Sequence, residues 1–425
     1  MKFEKISLFK QRRDFLLFFI FLSVIFFYAI FIEFNNYKIL TRFNSITVDA
    51  TIVKQYKKVK FTKTGKKRVY QVLKLEADKG FTFYTTVSNS FPPSLEKIVK
   101  IKIYPRDLTF YQYLTRFYSY SYIIEIYLNN SFKYRLNQLI KKQHKDENIS
   151  KIYEALYTAT PLSKELQTKF SSFGISHLVA ISGFHLGVIS WIFFFLLRFP
   201  YILLQDRFFP YKNSNRELFF IVASILFIYM FFLDYPPSLV RAFGMLMVGF
   251  LLYDRGFEII SMQTLFVTIF ILLAIIPKMF FSLGFWFSVT GVFYIFLFFI
   301  HFKNLNRYVE YILLGVFIYL MMLPFSLNIF SNFSVLHPFS IVWSLVFIIF
   351  YPFSIIFHLL GFGYVFDPFL SKLIYSQVDV KSIKLSDSYL CFHIFLSLVS
   401  IYKKEIIFLL LFESLSVLVY SIYVN

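Results

Sequence analysis

Two hydrophobic periodicities alternate along the chain. Near the N-terminus, Phe15–Ile32 is an unbroken apolar run, long enough to cross about 30 Å of hydrocarbon as a helix. Between residues 45 and 105 the pattern changes to the alternating runs ITVDATIVKQYKKVKF, KRVYQVLKLEADKG, FTFYTTVSNS and KIVKIKIY, parted by the turn-like TKTG and ADKG. Such alternation of Val, Ile, Tyr and Thr with polar residues predicts strands, about five of them, in a small barrel such as an OB-fold. Residues 106–150 hold no spanning run; an interfacial amphipathic helix is expected around Phe110–Leu128, then the polar linker KKQHKDENIS. Beyond it the candidate spans are Ile175–Leu197, Leu218–Leu233, Ser238–Tyr253, Ile259–Ile276, Phe280–Ile300, Tyr311–Phe330, Leu336–Leu360, Tyr389–Ile401 and Ile406–Tyr420.

The expected fold class is therefore an all-α polytopic membrane protein of about 9–11 transmembrane helices, with a small extracytoplasmic β-barrel (OB-like) domain near the N-terminus. The expected organisation is a basic N-terminus over 1–14, a membrane helix over 15–34, the β domain over 45–105, a linker over 106–150 and the main transmembrane domain over 151–425. Apolar length and the lack of a small-residue cleavage site make the first run a retained helix rather than a signal peptide. The basic stretch MKFEKISLFKQRRD before it predicts a cytoplasmic N-terminus. Arg198, Arg207, Lys212 and Arg216 predict a cytoplasmic loop, as do Asp254/Arg255 and Lys303/Arg307. After Arg307 the alternation fails: Lys372–Lys384 and Lys403/Lys404 do not both fit inside with one crossing between them. Either Leu336–Leu360, interrupted by Pro338 and Pro352, enters twice, or a late segment lies flat.

Composition agrees with a membrane protein: 58% hydrophobic residues and a mean hydropathy of +0.63, where a soluble globule is about half apolar. The one cysteine, Cys391, permits no internal disulfide and no cysteine metal site. Abundant Phe, Lys, Ile, Tyr and Asn resemble the product of an AT-rich genome, so placement of the +20 charge says more than its sum. From Thr51 to Leu75 there are nine cations (Lys54, Lys57, Lys58, Lys60, Lys63, Lys66, Lys67, Arg68 and Lys74) and no acid. Tyr56, Phe61 and Tyr70 lie among them. A solvated face accounts for this pattern; a surface that tracks phosphates and stacks on bases accounts for it equally.

Three apolar stretches carry residues that a plain anchor does not need. GISHLVAISGFHLG (174–187) holds the pair Gly183 and Gly187, extended by Ala180 and Ser176 as a ridge for close helix approach. Its His177 and His185 are eight apart, about 80° out of line on a helix, so they do not make an i,i+4 zinc pair. Ser182 neighbours His185, but no carboxylate and no G-x-S-x-G accompanies it. Packed histidines or the lining of a polar cavity are the two readings. In DYPPSLVRAFGMLMVGFLLYDRG, Pro236 and Pro237 start a helix with Arg241 in its first turns. An arginine there costs roughly 3 kcal/mol unless it snorkels or faces protein and water; pairing with Asp234, snorkelling and meeting a polyanion are the options. In IIPKMFFSLGFWFSVTGVF, Pro277 parts two helices, and Ser282, Gly284, Ser288, Thr290 and Gly291 follow. A broken helix of this kind suits a cavity wall or a tight crossing. No P-loop, H-E-x-x-H, Cys-x-x-Cys or His/Asp cluster appears, so neither ATP hydrolysis, another enzyme activity, a metal nor a cofactor is expected.

FSSFGISHLVAISGFHLGVIS (170–190) closely resembles the signature of the ComEC/Rec2 competence family. PPSLVRAFGML (236–246), IPKMFFSLGFWFSV (276–289) and NFSVLHPFSIVWS (332–344) are similar to later family segments, in the same order. The resemblance implies an inner-membrane channel that carries single-stranded DNA into the bacterial cytoplasm during natural transformation. It also implies an OB domain outside, a periplasmic DNA-binding protein that delivers DNA, and a cytoplasmic motor or DNA-binding proteins that pull it. In that reading the helix with His177 and His185 packs around the pore and Arg241 faces the phosphates. Larger family members end in a metallo-β-lactamase-like domain assigned to degrading the other strand; residues up to Asn425 contain none, so nuclease activity is not carried over. Trp286 stands where the family usually has glutamine, which weakens that position as pore lining. Two rivals are a secondary transporter of small solutes, which needs paired acids in the membrane, and a scaffold that moves nothing. Asp234 and Glu413 are the acids available, expected near span ends without partners.

Overall fold

The computed structural model describes residues 9, 11–61, 67–78, 80–257, 259–302 and 305–424. Helix α1 (Arg12–Thr41) leads into β1 (Ile46–Phe61), β2 (Lys67–Ala77), β3 (Thr82–Ser88) and β4 (Ile98–Tyr104), then α2 (Phe110–Thr115) and β5 (Tyr120–Tyr127). The five strands form one antiparallel sheet in the order β3-β2-β1-β4-β5. Alternation does what period two requires: Val99, Ile101 and Ile103 are buried while Lys100 and Lys102 point away. Leu40, in the last turn of α1, joins their core with Ile52, Leu73, Leu75, Phe83 and Phe117, so the sheet is fused to the membrane helix that precedes it.

Two sequence expectations change here. The sheet is open rather than a closed barrel: its edge strands β3 and β5 form no ladder, and approach through the isolated Tyr84–Tyr118 bridge just before β5 and the Thr85–Ser121 hydroxyl contact at 2.6 Å. The fifth strand lies outside 45–105: the expected amphipathic helix around Phe110–Leu128 is instead the single-turn-scale α2 followed by β5. Tyr120, Tyr122 and Ile124 there alternate with residues of the opposite face, a strand period misread as a helix because aromatic residues suit either. The 106–150 linker also includes the hairpin of α3 (Phe132–Lys142) and the start of α4 (Glu147–Thr158).

The helices that follow are α5 (Lys164–Ser172), α6 (Ser176–Val179), α7 (Gly183–Phe208), α8 (Ser214–Phe232), α9 (Pro237–Asp254), α10 (Met262–Ile275), α11 (Leu283–His301) and α12 (Arg307–Phe330). Then come β6 (Asn332–Phe333), α13 (Ser340–Leu359), α14 (Asp367–Tyr375), β7 (Lys381–Ser382), α15 (Asp387–Val399) and α16 (Lys404–Val424). Among the described residues, eight helices are long and apolar enough to cross a membrane. Contacts order their ends. Lys133 pairs with Asp234, and Lys278 pairs with Glu33 beside Tyr113, which puts the α8–α9 and α10–α11 turns and the end of α1 beside the sheet. Arg216–Asp254 and His301–Ser400 hold together turns at the far side. Among the described residues, α1, α7–α12, α15 and α16 run between these two sides.

Helix α13 does not join them, although it has the length and composition of a span. β6 pairs with β7, so the chain returns to the side it left. Among the described residues between α13 and β7, the α-helix available for a return trip is α14, of nine residues, about 14 Å against the 30 Å a crossing needs. Moreover, the buried face of α13 meets sheet-side groups: Ser354 accepts from Tyr157 of α4, and Tyr351 packs on His185 near the start of α7. Its opposite face leaves Val342, Ile349, Phe353 and Ile356 exposed, as expected of a face turned to lipid. The segment from β6 to β7 thus leaves and returns on one side, while the start of α13 at Ile341 lies against Gly315, in the middle part of α12. Lys381 bonds the carbonyl of Val424 on the sheet side, whereas Lys403 and Lys404 open α16 on the other.

The end of α13 is latched to the α3–α4 turn. His144 bonds Asp367 at 2.9 Å through Nδ1 and His358 at 2.9 Å through Nε2, and Gln143 accepts from the backbone N–H of Gly363. A Cβ on Gly363 would lie 2.6 Å from Gln143 Oε1 and 2.8 Å from the His358 ring. Gly363→Ala should therefore destabilise the protein by about 1–3 kcal/mol, read as a lowered Tm in detergent; an unchanged Tm would mean that the latch gives way freely.

Candidate functional site: a vestibule beneath a basic sheet

The GISHLVAISGFHLG stretch is not one helix. Single-turn α6 ends at Val179, Ala180 is extended, and α7 starts at Gly183. Its hydrogen-bonding groups are satisfied from the side. The Ser182 N–H donates to His185 Nδ1 at 3.2 Å, and the Ser238 hydroxyl of α9 donates to the Ile181 carbonyl at 2.6 Å. Ser334 donates to the Ser172 carbonyl, just before the break. Gly174 adopts φ +71°, and a Cβ there would sit 3.0 Å from the His337 carbonyl, so both conformation and space demand glycine.

The sequence ridge is thereby split. Ser176 and Ala180 belong to a different segment from Gly183 and Gly187, and no single helical face carries all four. A Cβ on Gly183 would lie 3.0 Å from that of Ala242, the close approach expected of a small residue. Gly187 has open space beside it. His177 and His185 likewise sit on separate helices, which voids any angle between them. His185 is fully buried, edge-on to Phe347 and Tyr351, with Nε2 unpartnered. His177 is solvent-accessible though set deep in the protein, 3.5 Å from Ser344 Oγ.

Ser176 and Ala180 open onto a cavity of about 680 Å³ beneath the sheet, whose walls include Thr160, Lys164, Gln167 and Ser238. Sequence reasoning missed Lys164 and Gln167, because nothing in a nine-residue polar helix marks it as a cavity wall. Lys54 of β1 reaches Gln167 at 3.5 Å. Burial and then the nearby Lys74 and Lys164 charges hold its ammonium below the usual lysine range, so three cations stand together at this mouth.

Pairing across β1 and β2 sorts the nine-cation segment. Lys54, Tyr56, Lys58 and Lys60 oppose Lys74, Val72, Tyr70 and Arg68 on one face. Lys57 opposes Gln71, and Lys67 opposes Phe61, on the other. Residues from Lys57 on β1 and before Tyr70 on β2 pair with neither β3 nor β4, so the basic end is a two-stranded arm. Lys57, Lys58, Lys60, Lys67 and Arg68 are exposed there. Lys63 and Lys66, and the side chain of Phe61, lie outside the described residues, as does Lys303.

Deeper, Pro237 opens α9 and Arg241 is only 6% exposed. Asp234 pairs with Lys133 instead, and among the described residues no carboxylate pairs with the guanidinium. Its Nε has no hydrogen-bond partner, and its Nη2 would be 3.2 Å from a Cβ on Gly284 of α11. Burial of this kind is incompatible with snorkelling to headgroups. Pro277 begins the 3₁₀ turn Pro277–Phe281, and Ser282 caps α11. Ser288, two turns in, is half-buried. Trp286 points outward, its indole N–H bonded to the Phe280 carbonyl.

Gly183→Leu should lower stability by about 1–3 kcal/mol through the α7–α9 contact, while Gly187→Ala should leave it unchanged or raise it by about 0.5–1 kcal/mol. Thermal unfolding of the two variants in detergent checks this; equal losses would mean a paired ridge after all.

No curated protein and no solved structure matches the chain. A family model described as "Competence protein" matches residues 158–424. That span holds the broken helix, the arginine of α9 and the start of α11, and the chain belongs to this competence family of the ComEC/Rec2 type.

Proposed function

We propose that the protein is a channel for single-stranded DNA in the bacterial plasma membrane, with the sheet outside and the N-terminus in the cytoplasm. Family membership points to DNA uptake. The finer reading rests on one observation: cations cluster on the β1–β2 arm and at the cavity mouth (Lys54, Lys74 and Lys164), and Arg241 is buried in α9 with no carboxylate partner among the described residues. A polyphosphate crossing a bilayer needs such a sequence of counter-charges, since each uncompensated charge in hydrocarbon is costly. Tyr56 and Tyr70 share the basic face and suit base stacking. Arg207, Arg216, Arg255, Lys403 and Lys404 at the far ends favour a cytoplasmic far side. A periplasmic DNA-binding protein would deliver the strand, and a cytoplasmic motor or DNA-binding proteins would pull it.

The full chain in detergent should bind a fluorescent single-stranded oligonucleotide with an affinity that falls linearly in log–log salt plots. Replacing Lys58, Lys60 and Arg68 by Ala together should reduce that slope by about 2, at roughly 0.7 per phosphate contact. An unchanged slope would return these cations to ordinary solvated surface. In cells given labelled DNA, Arg241→Ala should leave periplasmic uptake normal and cut cytoplasmic entry at least about tenfold, the effect of 1.4 kcal/mol. Unaltered entry with a normally folded variant would favour the scaffold.

A further inference from the structure

A second ionisable group lies at membrane depth, away from the vestibule. His393 of α15 and Glu413 of α16 meet at 2.7 Å, Nδ1 to Oε2, with the imidazole fully buried and the carboxylate 9% exposed. Glu413 is nearly midway along α16 (Lys404–Val424), about 15 Å from either end. The sequence expectation of an unpartnered acid near a span end is therefore wrong on both counts. The partner is twenty residues away on another helix, and only packing brings it within reach.

The surroundings are polar on one side and closed on the others. The Tyr294 hydroxyl of α11 is 2.9 Å from His393 Nε2 and 2.8 Å from Ser397 Oγ. The Met321 carbonyl of α12 is 3.2 Å from the same Nε2. Ser414 donates to Glu413 Oε2, and Tyr389 donates to the Glu413 carbonyl at 3.4 Å. Glu413 Oε1 is buried without a partner. Phe325 and Phe317 close the pocket from α12. Tyr294 and Tyr389 are the other titratable groups facing the pair, and among the described residues no lysine or arginine reaches it.

We propose that His393 and Glu413 form a proton-binding site. With a neutral ring, Nδ1–H donates to the carboxylate and Nε2 accepts the Tyr294 O–H. When a proton arrives on Nε2, the ring becomes an imidazolium and the net charge of the pair goes from −1 to 0. Tyr294 then turns its O–H to Ser397 Oγ, and the new N–H donates to the Met321 carbonyl. Both protonation states thus have partners waiting, whereas a purely structural pair needs only the Nδ1 bond. The exchange shifts the ring's bond from α11 to α12, so proton occupancy is tied to how these helices are held. Tyr389, His393, Ser397 and Ser400 recur at helical spacing along one face of α15, and the Ser400 carbonyl bonds His301 at 2.7 Å near the far end of α11. That polar track is a route from the far side. The inference stands whatever the vestibule conducts.

The test uses full-length protein labelled with ¹⁵N-histidine in lipid nanodiscs. The His393 resonance, identified by its loss in His393→Gln, should change between neutral-ring and imidazolium shifts as pH is varied. At a pH where the wild-type ring is charged, Glu413→Gln should leave it neutral. If that variant does not fold, the wild-type titration decides alone: a ring that keeps one form at every pH at which the protein stays folded overturns the proposal. Loss of DNA entry in Arg241→Ala would stand or fall separately.

Discussion

The hydroxyl of Ser238 on the carbonyl of Ile181 is the contact on which the layout of the membrane half turns. A helix broken inside a bilayer leaves backbone groups that lipid cannot satisfy, so the break survives only where neighbours supply partners. Here α9 supplies one, His185 another, and the segment before α13 braces the chain at Ser172 and Gly174. Because the break is held open, Ser176 and Ala180 face a cavity rather than a helix neighbour. The bond also fixes the first turn of α9, and with it the depth of Arg241.

Two buried charges meet the cost of an apolar medium in different ways. The Glu413 carboxylate has an imidazole and the Ser414 hydroxyl, an arrangement that lowers the cost of desolvation through hydrogen bonds. Arg241 has Gly284 against its guanidinium and, among the described residues, no acid paired with it. An uncompensated guanidinium is tolerable where an anion or water completes its shell, which is why its isolation, and not the paired carboxylate, carries the channel reading. The same distinction separates the two chemistries: a polyanion needs counter-charge along a path, a proton needs alternating donors and acceptors at one spot.

Helix α13 illustrates how composition misleads. Its composition is that of a span, yet Tyr351, Ser354 and His358 on its buried face tie it to Tyr157 and His144 of the sheet-side hairpin. Because the segment from β6 to β7 leaves and returns on one side, the basic residues before α15 and those before α16 fall on opposite sides, which the count of charges alone did not permit under a simple alternation.

Read alone, the sequence determined the membrane class, the positions of nearly all helices, the β segment and the family, since each rests on local periodicity or a contiguous motif. It also marked Arg241, His177, His185 and the glycines as residues lipid does not tolerate idly. Tertiary structure decided the rest. Whether the sheet closes depends on how its far edges approach; the fifth strand was hidden by aromatic residues that suit both periods. Which cations share a face depends on register, where one residue's shift moves a side chain to the other side. The partners of Asp234, Glu413 and Gly183 are set by helices distant in the chain, and no local pattern encodes a contact that exists only once those helices have packed.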